Sequence, residues 1–174
     1  MIDMQERLIR AMNGFERTVW NARRILDAAN VLDLKVVATE QNPEKLGLTL
    51  PSLSERINIG RMNKMCFSAA QCSELNEFIQ KEHVSSIIII GIETHVCVLQ
   101  SALEFQSMGF NTHVVSDAVA SRSAYDHDIA IERLRADSVT VTSTEAAIFE
   151  LCGTAERQEF KRISSLIKET LSDN

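Results

Sequence analysis

The chain has 174 residues, 45% of them hydrophobic, with only 6 glycines and 2 prolines; this suits one domain over residues 1–174 with a substantial core, and it argues against disorder or a solenoid. Eighteen Lys and Arg are scattered among 24 Asp and Glu, for a net charge of −6, so no basic stripe for nucleic acid is expected. The opening Met1-Ile2-Asp3-Met4-Gln5-Glu6-Arg7 lacks the pattern of a secretory signal, and the isoleucine run 87–90 is far short of a membrane span, so the expectation is a cytoplasmic protein without a membrane partner, an organellar location being left open.

Apolar residues at Met12, Phe15, Val19, Ala22, Ile25, Leu26 and Ala29 recur at helical spacing, and Leu34-Lys35-Val36-Val37-Ala38-Thr39 reads as a strand. Ile57 to Lys64 carries a weak strand signal. A helix is predicted over 69–81, then the strand Ser86-Ile87-Ile88-Ile89-Ile90, then a helix over 94–108 ending at Gly109. The strand Thr112-His113-Val114-Val115-Ser116, a helix over 123–135 and the strand Ser138-Val139-Thr140-Val141-Thr142 follow. Ser143 or Thr144 can cap the next helix, with Glu145 in its first turn, and residues 156–171 close the chain as a helix. Strands alternating with helices predict right-handed crossovers and a parallel sheet covered on both faces, with the isoleucine strand at its centre.

Cys66, Cys72, Cys97 and Cys152 show no C-x-x-C spacing and are expected to remain thiols. His83, His95, His113 and His127 form no recognisable ligand pattern, so neither a metal nor a cofactor is expected. The segment that stands out is Gly91-Ile92-Glu93-Thr94-His95-Val96-Cys97. It delivers a cysteine from the end of an apolar strand to the first turn of a helix, where amide dipoles favour a thiolate. A buried packing cysteine is the equal alternative on position alone. In an open α/β sheet the carboxyl ends of the strands form the ligand crevice. Asp3 ends a short first strand and Lys64 ends another, so acid, ammonium and thiol can converge there. Taken singly, Asp3 is better read as a helix cap and Lys64 as a solvated side chain.

Taken together, Asp3 within I-D-M-Q, Lys64 within N-K-M-C-F-S and Cys97 within G-I-E-T-H-V-C resemble the Asp, Lys and Cys triad of the isochorismatase-like cysteine hydrolases. The similarity continues through Val36–Gln41, Val115–Ala118, Ser121–Ser123, Thr144–Glu145 and Phe149–Leu151. It looks closest to the eukaryotic isochorismatase-domain-containing proteins. The resemblance implies a three-layer α/β/α fold with a six-stranded, mostly parallel sheet, assembled as a homo-oligomer, dimer or larger, with the site near a subunit interface. Relatives carry several apolar residues ahead of the Asp, whereas two residues precede Asp3 here.

The activity implied is metal-independent hydrolysis of a small amide or related acyl compound through a thioester. Asp3 is the proton carrier, Lys64 the charge stabiliser and Cys97 the nucleophile. The amides of Glu93 and Cys97 form the oxyanion hole around a cis peptide between Ile92 and Glu93. Gln5, Phe67 and His95 are the candidate substrate-pocket residues. Isochorismate hydrolysis itself is disfavoured by Cys97, since members with that activity generally carry glycine there, and the segment Thr39–Lys45 lacks the metal-binding histidines of nicotinamidases. The alternative left open is a binding or scaffolding protein with a weak or idle site.

Overall fold

A computed structural model describes residues 1–171 of the chain. The first extended segment is brief: Ile2 makes parallel bridges to Thr39 on one side and Gly91 on the other, and Asp3 then turns the backbone into the left-handed region at φ 50°. After α1 (Glu6–Ile9), the long helix α2 (Phe15–Val31) buries Ala22, Ile25, Leu26 and Ala29 on one stripe, as its apolar spacing predicts. The strand β1 (Val37–Gln41), the short helices α3 (Pro43–Leu46) and α4 (Pro51–Ser54) and the strand β2 (Gly60–Lys64) follow. Next come α5 (Ser73–Lys81), β3 (Ser86–Ile92), α6 (Leu99–Ser107), β4 (Asn111–Ala120), α7 (Ala124–Ala136), β5 (Thr140–Thr142), α8 (Thr144–Cys152) and α9 (Phe160–Ile167).

The sheet departs from the expected single six-stranded array. The strands form a two-stranded parallel unit, β1 with β2, and a three-stranded parallel unit in the order β3-β4-β5. Residues 1–3 lie between the two units and bond to both: Ile2 N–H donates to Ile90 O at 2.8 Å and Thr39 N–H to Met1 O at 2.9 Å. A strand needs several consecutive extended residues, and here the turn at Asp3 confines the ladder to single bridges at Ile2. Helices cover both faces. Ile25, Leu26, Ile148 and Ile163 pack with Ile90 and Ile92 on one side, and Leu75, Ile79, Phe105 and Leu134 pack with Ile89 and Val114 on the other.

Two predicted helices are broken at their starts. Over 69–81 a 3₁₀ turn, Ala69–Gln71, is followed by extended Cys72 before α5 begins; Ser68 caps the turn and Asn76 Nδ2 donates to Ala70 O at 2.7 Å, fixing the corner. Over 94–108 the chain first makes a π-turn, Thr94–Val98, because Glu93 O accepts from both Val96 N–H and Val98 N–H, each at 3.1 Å. The strand after Gly109 is longer than predicted. A register shift between Ile89 and Gly91 lets β3 resume pairing with Val119 and Ala120.

Candidate active site

Three sequence-distant side chains meet at the carboxyl ends of the central strands. Asp3 is carried there by the residues inserted between β1 and β3, and its Oδ1 accepts from Thr39 Oγ1 at 2.8 Å. Lys64 is the last residue of β2, in register with Gln41 of β1. Its ammonium lies 2.7 Å from Asp3 Oδ2 and 3.7 Å from Cys97 Sγ. Cys97 sits within the π-turn that follows β3. All three are enclosed, with Cys97 7% exposed and Asp3 1%.

The ammonium is held from several directions. It donates to Gln41 Oε1 at 2.7 Å and to the carbonyls of Cys66 and Phe67 at 3.2 and 3.0 Å. The Asp3 contact is a close charge pair rather than a directed hydrogen bond, since Asp3 Oδ2 has no hydrogen-bond partner among the described residues. Removing either charge would strand its partner away from water, which commonly costs about 3–5 kcal/mol.

The electrostatics of the thiol reverse the sequence-based expectation. Burial pushes the Cys97 thiol up to about 12, the neighbouring Asp3 carboxylate adds to the rise, and Lys64 pulls in the other direction without cancelling it. A start-of-helix position was expected to favour the thiolate. The enclosed setting and the carboxylate beside Sγ win over it, so the resting group is a neutral thiol. At the start of the π-turn, Thr94 Oγ1 shares a 2.9 Å hydrogen bond with His127 Nδ1, and burial lowers the His127 pKa from 6.5.

The remaining candidates take different places. The Ile92–Glu93 peptide bond is cis, where it was expected. The Glu93 side chain points to the following loop, its Oε2 accepting from Arg122 N–H and Nε at 3.2 and 3.1 Å. His95 is half-buried, with Nδ1 2.9 Å from Ser121 Oγ. Phe67 exposes its ring beside the Lys64 carbonyl cradle. Gln5 is corrected as a pocket residue: it is fully buried, donates to Gln41 O and Gly47 O at 3.0 and 2.6 Å and accepts from Gln41 N–H at 2.8 Å. Both ends of its carboxamide are committed to the β1–α3 backbone.

Gln41 and Thr39 are the site residues that sequence reasoning missed. Gln5 fixes the Gln41 backbone, and Gln41 in turn gives Oε1 to Lys64 while Nε2 donates to Met65 O at 2.8 Å. The available signal was their place near the carboxyl end of the β1 strand, the same edge that made Lys64 a candidate.

The isochorismatase domain model matches residues 1–146. Isochorismatase domain-containing protein 2 of Bos taurus is 36% identical over all 174 residues of this chain and 84% of its own length. Among solved structures, the MAR1 ribonuclease of Caenorhabditis elegans superposes with a TM-score of 0.92 at 34% identity, over 99% of this chain and 89% of that one. The YcaC gene product of Escherichia coli, named as an octameric hydrolase of unknown specificity, superposes with a TM-score of 0.89 at 19% identity, over 95% of this chain and 84% of that one. With the family model spanning most of its length and a relative of this identity aligned from end to end, the chain belongs to the isochorismatase-domain family of hydrolases.

Proposed function

We propose that the protein is a metal-independent cysteine hydrolase acting on a small amide or related acyl compound. The observation that carries this reading is the convergence of the Lys64 ammonium on both Asp3 Oδ2 and Cys97 Sγ, at 2.7 and 3.7 Å. A neutral thiol beside a carboxylate that is itself paired with an ammonium suits general-base attack. Asp3 takes the thiol proton as Sγ bonds to the carbonyl carbon, and the charge on the carbonyl oxygen is met by the amides of Glu93 and Cys97. The tetrahedral species then collapses. Its C–N bond breaks, Asp3 returns the proton to the leaving amine, and a thioester remains. Asp3 next takes a proton from water as the water oxygen attacks the thioester, and the expelled thiolate recovers that proton. Lys64 offsets the negative charge that moves between Asp3 and Cys97.

Phosphodiester hydrolysis, suggested by the name of one structural relative, fits less well, because the enclosed ammonium is already committed and the chain is acidic. The protein acts as a homo-oligomer in this reading, with exposed Leu48 and, beside the Lys64 cradle, Met65 and Phe67 forming part of the subunit contact.

The test is ammonia release across a panel of small amides, with an RNA oligonucleotide as a parallel substrate. Turnover of at least one amide is expected, falling about 10²-fold or more in Asp3→Asn and lost in Cys97→Ala, with a mass increment on Cys97 in quenched reactions. Amide turnover unchanged in Cys97→Ala, or cleavage of RNA alone, would overturn the reading.

A further inference from the structure

Four residues beyond Cys97, in the first turn of α6, Ser101 is fully buried and its hydroxyl makes two short bonds. Oγ donates to Cys97 O at 2.5 Å and accepts from Ala69 N–H at 2.7 Å. A serine inside a helix often bonds the carbonyl four residues back, and that bond alone means little. The second bond gives it a use, because Ala69 lies in the segment that follows β2 and closes over Lys64. Phe67 O, two residues before Ala69, accepts from Lys64 Nζ at 3.0 Å, and Lys64 Nζ lies 3.7 Å from Cys97 Sγ. The contacts close a ring that runs from the Cys97 carbonyl through the Ser101 hydroxyl, the Ala69 amide, the Phe67 carbonyl and the Lys64 ammonium back to the Cys97 thiol. One turn further along α6, Glu104 grips the same segment, its Oε2 accepting from Ser68 Oγ and its Oε1 from Gln71 Nε2, each at 2.8 Å.

We propose that Ser101 is a positioning residue that fixes the Cys97 thiol against the Lys64 ammonium, with Glu104 holding the same segment one turn away. The assignment rests on Cys97 being the nucleophile and deepens that reading. The need for such a tie follows from the π-turn. There Glu93 O accepts from Val96 N–H and Val98 N–H and passes over the Cys97 amide between them, so a regular helical ladder does not hold the turn that carries the thiol. Lys64, by contrast, has firm holds elsewhere, with Asp3 Oδ2 and Gln41 Oε1 both 2.7 Å from Nζ. Without the Ser101 hydroxyl, the Ala69 N–H is buried and unpaired, and the segment has to shift to satisfy it. The ammonium then stays with Asp3 and Gln41 while the thiol drifts from it. Ser101 touches no reacting atom in this scheme; it acts through Cys97 and Ala69.

The test compares Ser101→Ala, Ser101→Thr and Glu104→Ala by amide kinetics and by the rate at which iodoacetamide alkylates Cys97 at one alkaline pH, the modified residue being mapped by mass spectrometry. Ser101→Ala is expected to keep KM within about twofold and to lose about 10-fold or more in kcat, since a misplacement of about 1 Å can cost about 10²-fold. Its Cys97 alkylation should slow by about threefold or more, because the thiolate loses its countercharge. Simple loosening of the core would do the reverse, opening the site and speeding alkylation. Ser101→Thr keeps the hydroxyl and should recover both values. Glu104→Ala, at a partly exposed residue, should shift both in the same direction by less, and it carries the same test of sign if Ser101→Ala does not fold. Alkylation that is unchanged or faster, or a folded Ser101→Thr as impaired as the alanine variant, would overturn the proposal. If the unmodified protein turns over no amide, the hydrolase reading fails by itself, and the alkylation rates still decide whether Ser101 sets the thiol.

Discussion

The thiol of Cys97 carries the sharpest consequence of the site's geometry. Its neighbours are one carboxylate and one ammonium in an enclosed space, and the balance between them holds the proton on sulfur, with a pKa of about 12. Alkylation by iodoacetamide should therefore be slow at neutral pH and keep rising with pH well above the range of an ordinary thiol. Asp3→Asn removes the neighbouring negative charge and should bring the titration down, whereas Lys64→Met should keep it high. A plateau in alkylation rate near neutral pH in the unmodified protein would contradict this balance. The same proton also links to stability: the folded state holds it to higher pH than the unfolded chain, so stability is lost as pH rises from about 9 toward 12.

Gly91 shows how one backbone position governs an element. Its φ of 126° is unfavourable for other residues, and a Cβ there would lie 2.0 Å from Ile2 O. Gly91→Ala therefore forces β3 away from the residues that carry Asp3. A loss of about 2 kcal/mol or more is expected, seen as a fall of roughly 4–8 °C in melting temperature. The π-turn and α7 are coupled through Thr94 and His127. Because burial holds His127 below 6.5, the unfolded chain takes up a proton first as pH falls. Its contribution to stability is present above that pH and declines below it. Denaturant titrations at pH 7.5 and 5.5 should show a smaller difference in His127→Gln than in the unmodified protein; an identical difference would count against the assignment.

The protein as a unit buries two apolar layers against the strands yet leaves Leu48 61% exposed and, beside the site, Met65 and Phe67 at 72% and 56%. The proposed homo-oligomer would cover them. Light scattering should give the mass of a dimer or larger assembly, and the double substitution Met65→Asp with Phe67→Asp should shift it toward the monomer. A monomer at micromolar concentration in the unmodified protein would remove that part of the proposal. Among the described residues no helix is long and apolar enough to cross a membrane.

Local sequence signals sufficed to locate the long helix α2, the isoleucine strand and the strand ending in Lys64, and narrowed the cap of α8 to Ser143 or Thr144, of which the structure uses Ser143, because each depends on local spacing and short-range hydrogen bonds. Asp3, Lys64 and Cys97 were each legible as residues at a strand's carboxyl end, and parallel strands share that end. What spacing along the chain could not supply was the outcome of long-range competition. Gln41 reaches Lys64 only because the backbone of β1 is clamped by Gln5. The helix after Glu93 opens into a π-turn, and the two units of the sheet are joined through residues 1–3 rather than along a full strand. The protonation of Cys97 belongs to the same class. Desolvation and the field of a carboxylate 94 positions away in the chain depend on packing in three dimensions, and they reverse what the start of a helix would do to a thiol by itself.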